Sequence, residues 1–344
     1  MTTLQRQQPL SGDSSSTNSV HPPFIATKTI SNVLANVKPT PSNRQMVDLP
    51  ISATIEEAFD VLLAEDILSV PVYRLNEEDQ TKVYVTIISV LDLLKLLSQH
   101  ASSNNFFQYQ IKEAMGQTEE SSRLVTVRYS DPLGEVLSLF SEHGAHRVLV
   151  SNSDKKNDPL HPPVLLSQMD IVRYLQAHNH HLGSILDVTV PDLVARSCAR
   201  REKRLGEAAR RMEKEHHHQV PTVTFKTTAM KTFEQIAHNP LISALPIVDD
   251  EDCLVADIGP QDLRGLNKAR LQELAKPVLM FLKSKHGDLI APFTCHERFT
   301  LSQIMAAFVL RKAYRLWWVD QDGHIQGVIT MTDVLGSFLD PSFF

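Results

Sequence analysis

Gly327-Val328-Ile329-Thr330-Met331-Thr332-Asp333-Val334-Leu335 is an apolar strand that runs into a hydroxyl residue and, three residues later, reaches an aspartate. The pattern returns as Ile87-Ile88-Ser89-Val90-Leu91-Asp92 and as Leu165-Leu166-Ser167-Gln168-Met169-Asp170. In a fourth copy, Asp257-Ile258-Gly259-Pro260-Gln261-Asp262, glycine stands in place of the hydroxyl residue. A unit of about 70–90 residues recurring four times is one supersecondary block repeated, and that decides the fold before any single element does.

Outward from each copy the same elements recur. In repeat one, Met46–Pro50 reads as a short strand and Thr54-Ile55-Glu56-Glu57 as a capping box opening a helix. Ser69–Tyr73 and Val83–Ile88 read as paired strands around the charged turn Leu75–Lys82, and Leu91–Leu97 as the closing helix. Repeat two follows with strands Leu124–Val127, Arg147–Val150 and Val164–Leu166, a helix with Asp131 as N-cap and Pro132 at its first position, a long loop Ser151–Pro163, and helix Ile171–Ala177. Repeat three has strands Thr222–Phe225, Ala244–Val248 and Leu254–Ile258, with helices near Thr228–Ala237 and Gln261–Leu266. After a connecting helix around Leu271–Lys283, repeat four has strands Ile290–Phe293, Leu316–Val319 and Ile325–Ile329 and a helix opened by Thr300-x-x-Gln303. The expected architecture is a mixed α/β (α+β) fold of four β-α-β-β-α repeats. They span residues 46–100, 118–178, 220–268 and 286–340, with a tail at 1–45 and an inter-module linker at 179–219.

The tail is rich in Ser, Thr, Gln and Pro, a composition expected to remain disordered. The linker contains Arg196-Ser197-Cys198-Ala199-Arg200-Arg201-Glu202-Lys203-Arg204, and Leu193, Val194, Leu205, Ala208, Ala209 and Met212 can share one apolar stripe. A basic amphipathic helix is expected, either merely solvated or a docking face for an acidic partner. His216-His217-His218 does not read as a metal site, because consecutive side chains do not converge and no flanking ligands match.

Composition narrows the classes of function. With 34 basic and 40 acidic residues the net charge is −6, so nucleic acid and anionic membrane are not expected partners. No apolar run approaches the roughly 20 residues of a membrane helix, and the N-terminus lacks a signal-peptide core, so a soluble cytoplasmic or nuclear protein is expected. Cys198, Cys253 and Cys295 are scattered without metal or disulfide spacing. No P-loop, Gly-x-Ser-x-Gly or His-Glu-x-x-His occurs, so no enzyme is expected.

With these motifs in place, the chain resembles the cystathionine-β-synthase (CBS) domain family, and four such units resemble the γ subunit of AMP-activated protein kinase. The likeness runs over about Met46–Leu339; Ile242–Asp249 resembles the family's strand, His146-Arg147 its phosphate-contacting pair, and Tyr314-Arg315-Leu316 occupies the equivalent place in repeat four. The resemblance implies that repeat one pairs with two and three with four, and that the two modules form a disc with clefts between units. It also implies an adenine nucleotide ligand (AMP, ADP or ATP, with S-adenosylmethionine an alternative) and no cofactor. Catalytic and scaffold subunits of a Ser/Thr kinase are the implied protein partners, with homodimerisation also open.

The chemistry is consistent with that. A carboxylate at a strand end accepts both ribose hydroxyls, a neighbouring hydroxyl lines the nucleoside pocket, and Arg or His across the cleft meets phosphate. Asp92, Asp170, Asp262 and Asp333 are thus candidate ribose ligands; Thr330, Thr332 and Ser243 candidate pocket residues; and His146, Arg147 and Arg315 candidate phosphate ligands. The same aspartates are also what a helix N-terminus prefers, as cap and dipole partner, and both readings stand at this level. The chain departs from the kinase subunit at Leu68, where an arginine is usual, at Met169, where a basic residue is, at Tyr314 in place of histidine, and at Gly259-Pro260, which removes a hydroxyl. Only a subset of clefts is expected to bind, those with His146-Arg147 and Arg315 foremost. The alternative is a CBS scaffold with degenerate clefts that holds a kinase or phosphatase without sensing nucleotide.

Overall fold

The computed structural model describes residues 21–39, 46–100, 105–152, 161–200, 220–239 and 242–339. Four three-stranded sheets, one per repeat, carry the fold: β1(Leu49–Pro50)-β2(Ser69–Leu75)-β3(Lys82–Ser89), β4(Thr126–Val127)-β5(Arg147–Val150)-β6(Val164–Ser167), β7(Val223–Thr224)-β8(Leu245–Val248)-β9(Leu254–Ile258) and β10(Thr294–Cys295)-β11(Arg315–Val319)-β12(Ile325–Thr330). In each, the first pair is parallel and the second antiparallel. A parallel pair needs a crossover, supplied by α3(Ile55–Ala64), α6(Leu133–Ser141), α9(Ala229–His238) and α11(Leu301–Arg311); an antiparallel pair needs only a hairpin.

Local chemistry sets the helix starts. Thr54 accepts from the Glu57 amide while Glu57 accepts from the Thr54 amide, a reciprocal capping box, and Thr300 with Gln303 does the same for α11. The closing helices α4(Val90–Gln99), α7(Gln168–Ala177) and α12(Met331–Ser337) start at Ser89, Ser167 and Thr330, each boxed with the motif aspartate.

Where the elements differ from expectation, proline is the recurrent cause. Repeat three closes with a 3-10 turn, Pro260–Leu263, in place of a helix over Gln261–Leu266. The connecting helix is split at Pro277 into a 3-10 segment, Lys268–Ala275, and α10(Val278–His286). Strand pairing in repeat four begins at Thr294, beyond Pro292, and Ile290 is 61% exposed. Helix α6 begins at Leu133 with Pro132 in the cap position, and Asp131 instead accepts from the Arg128 amide.

The largest correction concerns the tail. Residues 21–38 are ordered as α1(His21–Ala26) and α2(Ile30–Val37), and Phe24, Ile25, Ile30, Val33 and Leu34 are buried. Burial of five apolar side chains at one spot, about 1.5–3 kcal/mol each, offsets the ordering entropy that the polar composition suggested would win. Residues 1–20 and 40–45 lie outside the described residues. In the linker, 3-10 turns at Asn179–His181 and Gly183–Asp187 precede α8 (190–200), on which Leu193 is buried; Leu205, Ala208, Ala209, Met212 and the histidine run lie outside the described residues.

Repeats one and two meet through strand β3, where Thr86 Oγ1 donates to the Ser121 carbonyl at 2.7 Å, on α5(Glu119–Ser122) ahead of β4. Repeats three and four meet at their hairpins, where the Leu254 amide donates to the Gly323 carbonyl at 3.1 Å; Gly323 has φ +90°, which a side chain resists. The apolar cores run the other way. One core joins repeats one and three, with Phe59, Phe106 and Phe233 fully buried, and the second joins repeats two and four with the 21–38 arm, around Phe140 and Phe308. Each module is therefore held together mainly by polar and strand contacts, and the two modules by hydrophobic ones.

Candidate nucleotide clefts

Strand register brings the expected ligands to one end of each sheet. Arg147 lies directly across from Ser167, and Arg315 directly across from Thr330, the caps of the helices that begin with Asp170 and Asp333. In repeat one the same place is taken by Ser69, opposite Ser89, and in repeat three, where β8 opens with Leu245 opposite Ile258, it falls to the preceding Ala244, in line with Gly259. The even-numbered repeats thus carry a guanidinium where the odd-numbered ones carry an uncharged side chain.

Each aspartate is used as a cap. The amide and hydroxyl of Ser89 donate to Asp92 Oδ2 at 2.8 and 2.6 Å, those of Ser167 to Asp170 Oδ2 at 2.9 and 2.7 Å, and those of Thr330 to Asp333 Oδ2 at 2.7 and 2.7 Å. Asp262 accepts from the Gly259 amide at 2.9 Å, with no hydroxyl to complete the box. Capping and ribose binding are compatible in principle, because the cap engages one carboxylate oxygen and leaves the second for a ligand.

The second oxygens separate the repeats. Asp92 Oδ1 accepts from Thr118 Oγ1 at 2.7 Å, and Asp262 Oδ1 lies 2.9 Å from His286 Nε2. Asp92 is fully buried; that burial raises its carboxyl above the usual range, against the hydrogen bonds from Ser121, Ser89 and Thr118. Asp170 lies 3.8 Å from Arg173 Nη1 through Oδ1 and 3.0 Å from Lys38 Nζ through Oδ2. At Asp333, Arg200 Nη2 donates to the main-chain carbonyl at 3.3 Å, and nearby Gln168 Nε2 donates to Thr332 Oγ1 at 2.9 Å, linking the helix starts of repeats two and four. A Cβ at Gly336 would come within 2.8 Å of Arg200 Nε, so a side chain there would push the guanidinium aside.

The cations are matched by acids. Glu120 Oε2 lies 3.7 Å from His146 Nδ1 and 3.8 Å from Arg147 Nη1, and Glu120 Oε1 accepts from the His146 amide at 3.1 Å. Burial pushes the Glu120 carboxyl upward, but the hydrogen bonds from His146 and the charges of Arg147 and His146 outweigh it and hold it below its ordinary value. In repeat four, Arg315 Nη1 donates to Asp257 Oδ2 on β9 at 3.2 Å. Arg315 is 8% exposed, and among the described residues its Nε has no hydrogen-bond partner; the Trp317 Nε1, two residues along the same strand, is buried and unpartnered among them as well. Ser243 is exposed just before β8.

Sequence reasoning missed Lys38, Thr118, Glu120, Arg200 and His286, which lie outside the motif copies, and Asp257, which opens the repeat-three copy and serves Arg315 of repeat four. Glu120 had a legible cue, since Thr118-Glu119-Glu120-Ser121 reads as a cap; Lys38 had none beyond the Thr29-Ile30-x-x-Val33-Leu34 spacing of its helix.

Comparisons with known proteins follow the same lines. The CBS domain family model matches residues 120–160 and 287–340. A SNF1-related protein kinase regulatory subunit gamma-like protein of Arabidopsis thaliana is 24% identical, over 87% of this chain and 92% of its own. The 5′-AMP-activated protein kinase subunit gamma of Kluyveromyces lactis is 20% identical, over 91% of this chain and 89% of its own. Among solved structures, a Methanocaldococcus jannaschii protein proposed as an archaeal homologue of that γ subunit superposes with a TM-score of 0.60 at 17% identity, covering 90% of this chain and 100% of its own. No helix among the described residues is long and apolar enough to cross a membrane. The chain carries CBS-domain matches in its second and fourth repeats, and along most of its length it resembles γ regulatory subunits of AMP-activated and SNF1-related protein kinases.

Proposed function

We propose that the protein is a non-catalytic, γ-like regulatory partner of a Ser/Thr protein kinase, and that it responds to adenine nucleotide through its even-numbered repeats. The observation that carries the nucleotide reading is Arg315. Its guanidinium is buried, sits across the sheet from the cap of the Asp333 helix, and keeps an Nε–H without an acceptor among the described residues. A buried donor left unmade costs about 1–3 kcal/mol, which a phosphate oxygen would relieve. Thr330 and Thr332 would line the nucleoside and Asp333 would take the ribose diol. The kinase reading is supported by similarity to γ subunits along most of this chain and theirs.

A differential scan with AMP, ADP, ATP and S-adenosylmethionine tests the ligand. Stabilisation that grows with concentration and is lost in Arg315→Ala and Asp333→Ala supports the reading. Identical melting with all four ligands sinks it. Paired substitution of Asp333 and Arg147 separates one shared ligand from two independent roles, since only a shared ligand gives coupled losses.

A second reading is favoured by the internal bonds at Asp92, Asp262, Glu120 and Asp257: a scaffold whose clefts are closed by its own side chains. Under it, capture of the kinase partner persists when all four motif aspartates are replaced by alanine.

A further inference from the structure

The 21–38 arm is fastened to repeat two along its length. The Leu133 amide donates to the Lys28 carbonyl at 2.8 Å, the Ile30 amide to the Asp131 carbonyl at 3.0 Å and the Ser31 amide to the Tyr129 carbonyl at 2.8 Å. Helix α2 then buries Ile30, Val33 and Leu34 in the core of repeats two and four and ends at Lys38. From that end the lysine Nζ reaches 3.0 Å from Asp170 Oδ2 and also donates to the Leu165 carbonyl. Leu165 is on β6, an edge strand of its sheet. Asp170 is 5% exposed at its side chain, and Arg147 lies across the sheet from its cap residue.

An exposed lysine swinging onto a surface carboxylate is held by little, but here one partner is buried and the other is delivered by a helix anchored in the core. The ammonium engages the Leu165 carbonyl and Asp170 Oδ2, the oxygen that also caps α7, so it covers the carboxylate beside Oδ1, the oxygen left for a ligand, and neutralises its charge. The carboxylate and the carbonyl are the groups a nucleoside would use, the first for its ribose diol and the second for an amine.

We infer that Lys38 is a built-in stopper of the repeat-two cleft: it occupies Asp170 and the Leu165 carbonyl, and a ribonucleotide binds there only once Lys38 is displaced or its charge removed. This deepens the nucleotide reading above and rests on it. Affinity at this cleft falls by the fraction of molecules in which the lysine is out, so removing the ammonium restores the intrinsic value.

The test is AMP binding by the full chain, read as stoichiometry and affinity by calorimetry, for wild type, Lys38→Met, Lys38→Arg and Lys38→Met/Asp170→Asn. Lys38→Met gains one AMP site, or tightens one at least tenfold; Lys38→Arg behaves as wild type; and the double variant loses the gain. If wild type binds AMP and Lys38→Met binds it no better, the stopper is wrong and the nucleotide reading stands. If no variant binds AMP, both fall. A second measurement needs no Lys38 variant: acetylation of Lys38 by acetic anhydride, followed by mass spectrometry, is several-fold faster in Asp170→Asn than in wild type. Equal rates overturn the stopper.

Discussion

The odd-numbered and even-numbered repeats share a topology and differ in what their sheet ends are built to hold. Repeats one and three put Ser69 and Ala244, the residue before β8, where repeats two and four put Arg147 and Arg315. They also engage the second oxygen of their aspartates internally, Asp92 with Thr118 and Asp262 with His286. The even-numbered pair keeps a cation beside each capped aspartate, with one cleft approached by Lys38 and the other holding a guanidinium N–H unsatisfied among the described residues. A repeat fold thus lets one pair of units serve the frame and the other the ligand, because a capping aspartate is sufficient for the fold and only added charge makes it a site.

The comparison can be broken at several strengths. The largest effect is expected in the cores. Phe308→Ala, at a fully buried side chain in the core of repeats two and four, should cost about 3–5 kcal/mol. Hydrogen exchange should then show repeats two and four loosening together while one and three stay protected. Loosening confined to repeat four would mean that the shared core does not act as a unit.

Next comes the ligand. AMP at about a hundred times its dissociation constant should add about 2.7 kcal/mol to wild type. Arg315→Ala should remove that gain, while Asp262→Ala keeps it. Close in size is the charge staple at Glu120. Arg147→Ala leaves a buried carboxylate beside only His146; discounting the 3–5 kcal/mol typical of a broken buried pair for its 3.8 Å separation, about 2 kcal/mol of stability should go in urea titrations. Glu120→Gln in the same background should restore most of it.

Acid then separates two neighbouring carboxyls by sign. Glu120 is held below its ordinary value in the folded protein, so its contribution is present above the unfolded value and lost as pH falls through the folded one. Asp92 is raised by burial, so its contribution is full below the unfolded value and lost as pH rises through the folded one. Stability measured from neutral pH downward should therefore fall less steeply in Glu120→Gln than in wild type, and more steeply in Asp92→Asn. The smallest effect is expected at Lys226–Asp250, a pair with side chains 66% and 72% exposed, where Lys226→Ala should change stability by less than about 1 kcal/mol.

Much of this arrangement was legible in the chain. The Ser-x-x-Asp and Thr-x-x-Asp boxes, the Thr54 and Thr300 caps and the alternation of strands recur because each unit must solve the same local problem with the same residues. What stayed hidden was non-local. Polar residues around Ile30, Val33 and Leu34 masked an arm whose ordering depends on a core formed elsewhere in the chain. Beyond the local caps and Arg173, Asp92, Asp170, Asp262, Arg147 and Arg315 are met by Thr118, Lys38, His286, Glu120 and Asp257 from other segments, so no motif spacing could reveal whether a carboxylate faces a ligand or an internal donor. Gly259-Pro260 marked the hydroxyl that repeat three lacks, yet not the 3-10 turn that replaces its helix.

The most direct test of the account is native mass spectrometry of the full chain titrated with AMP, on wild type and on Arg315→Gln/Asp333→Asn. The account predicts one bound AMP at low ligand concentration in wild type and none in the double variant. Binding that survives the double substitution, or an absence of adduct in wild type, would contradict it.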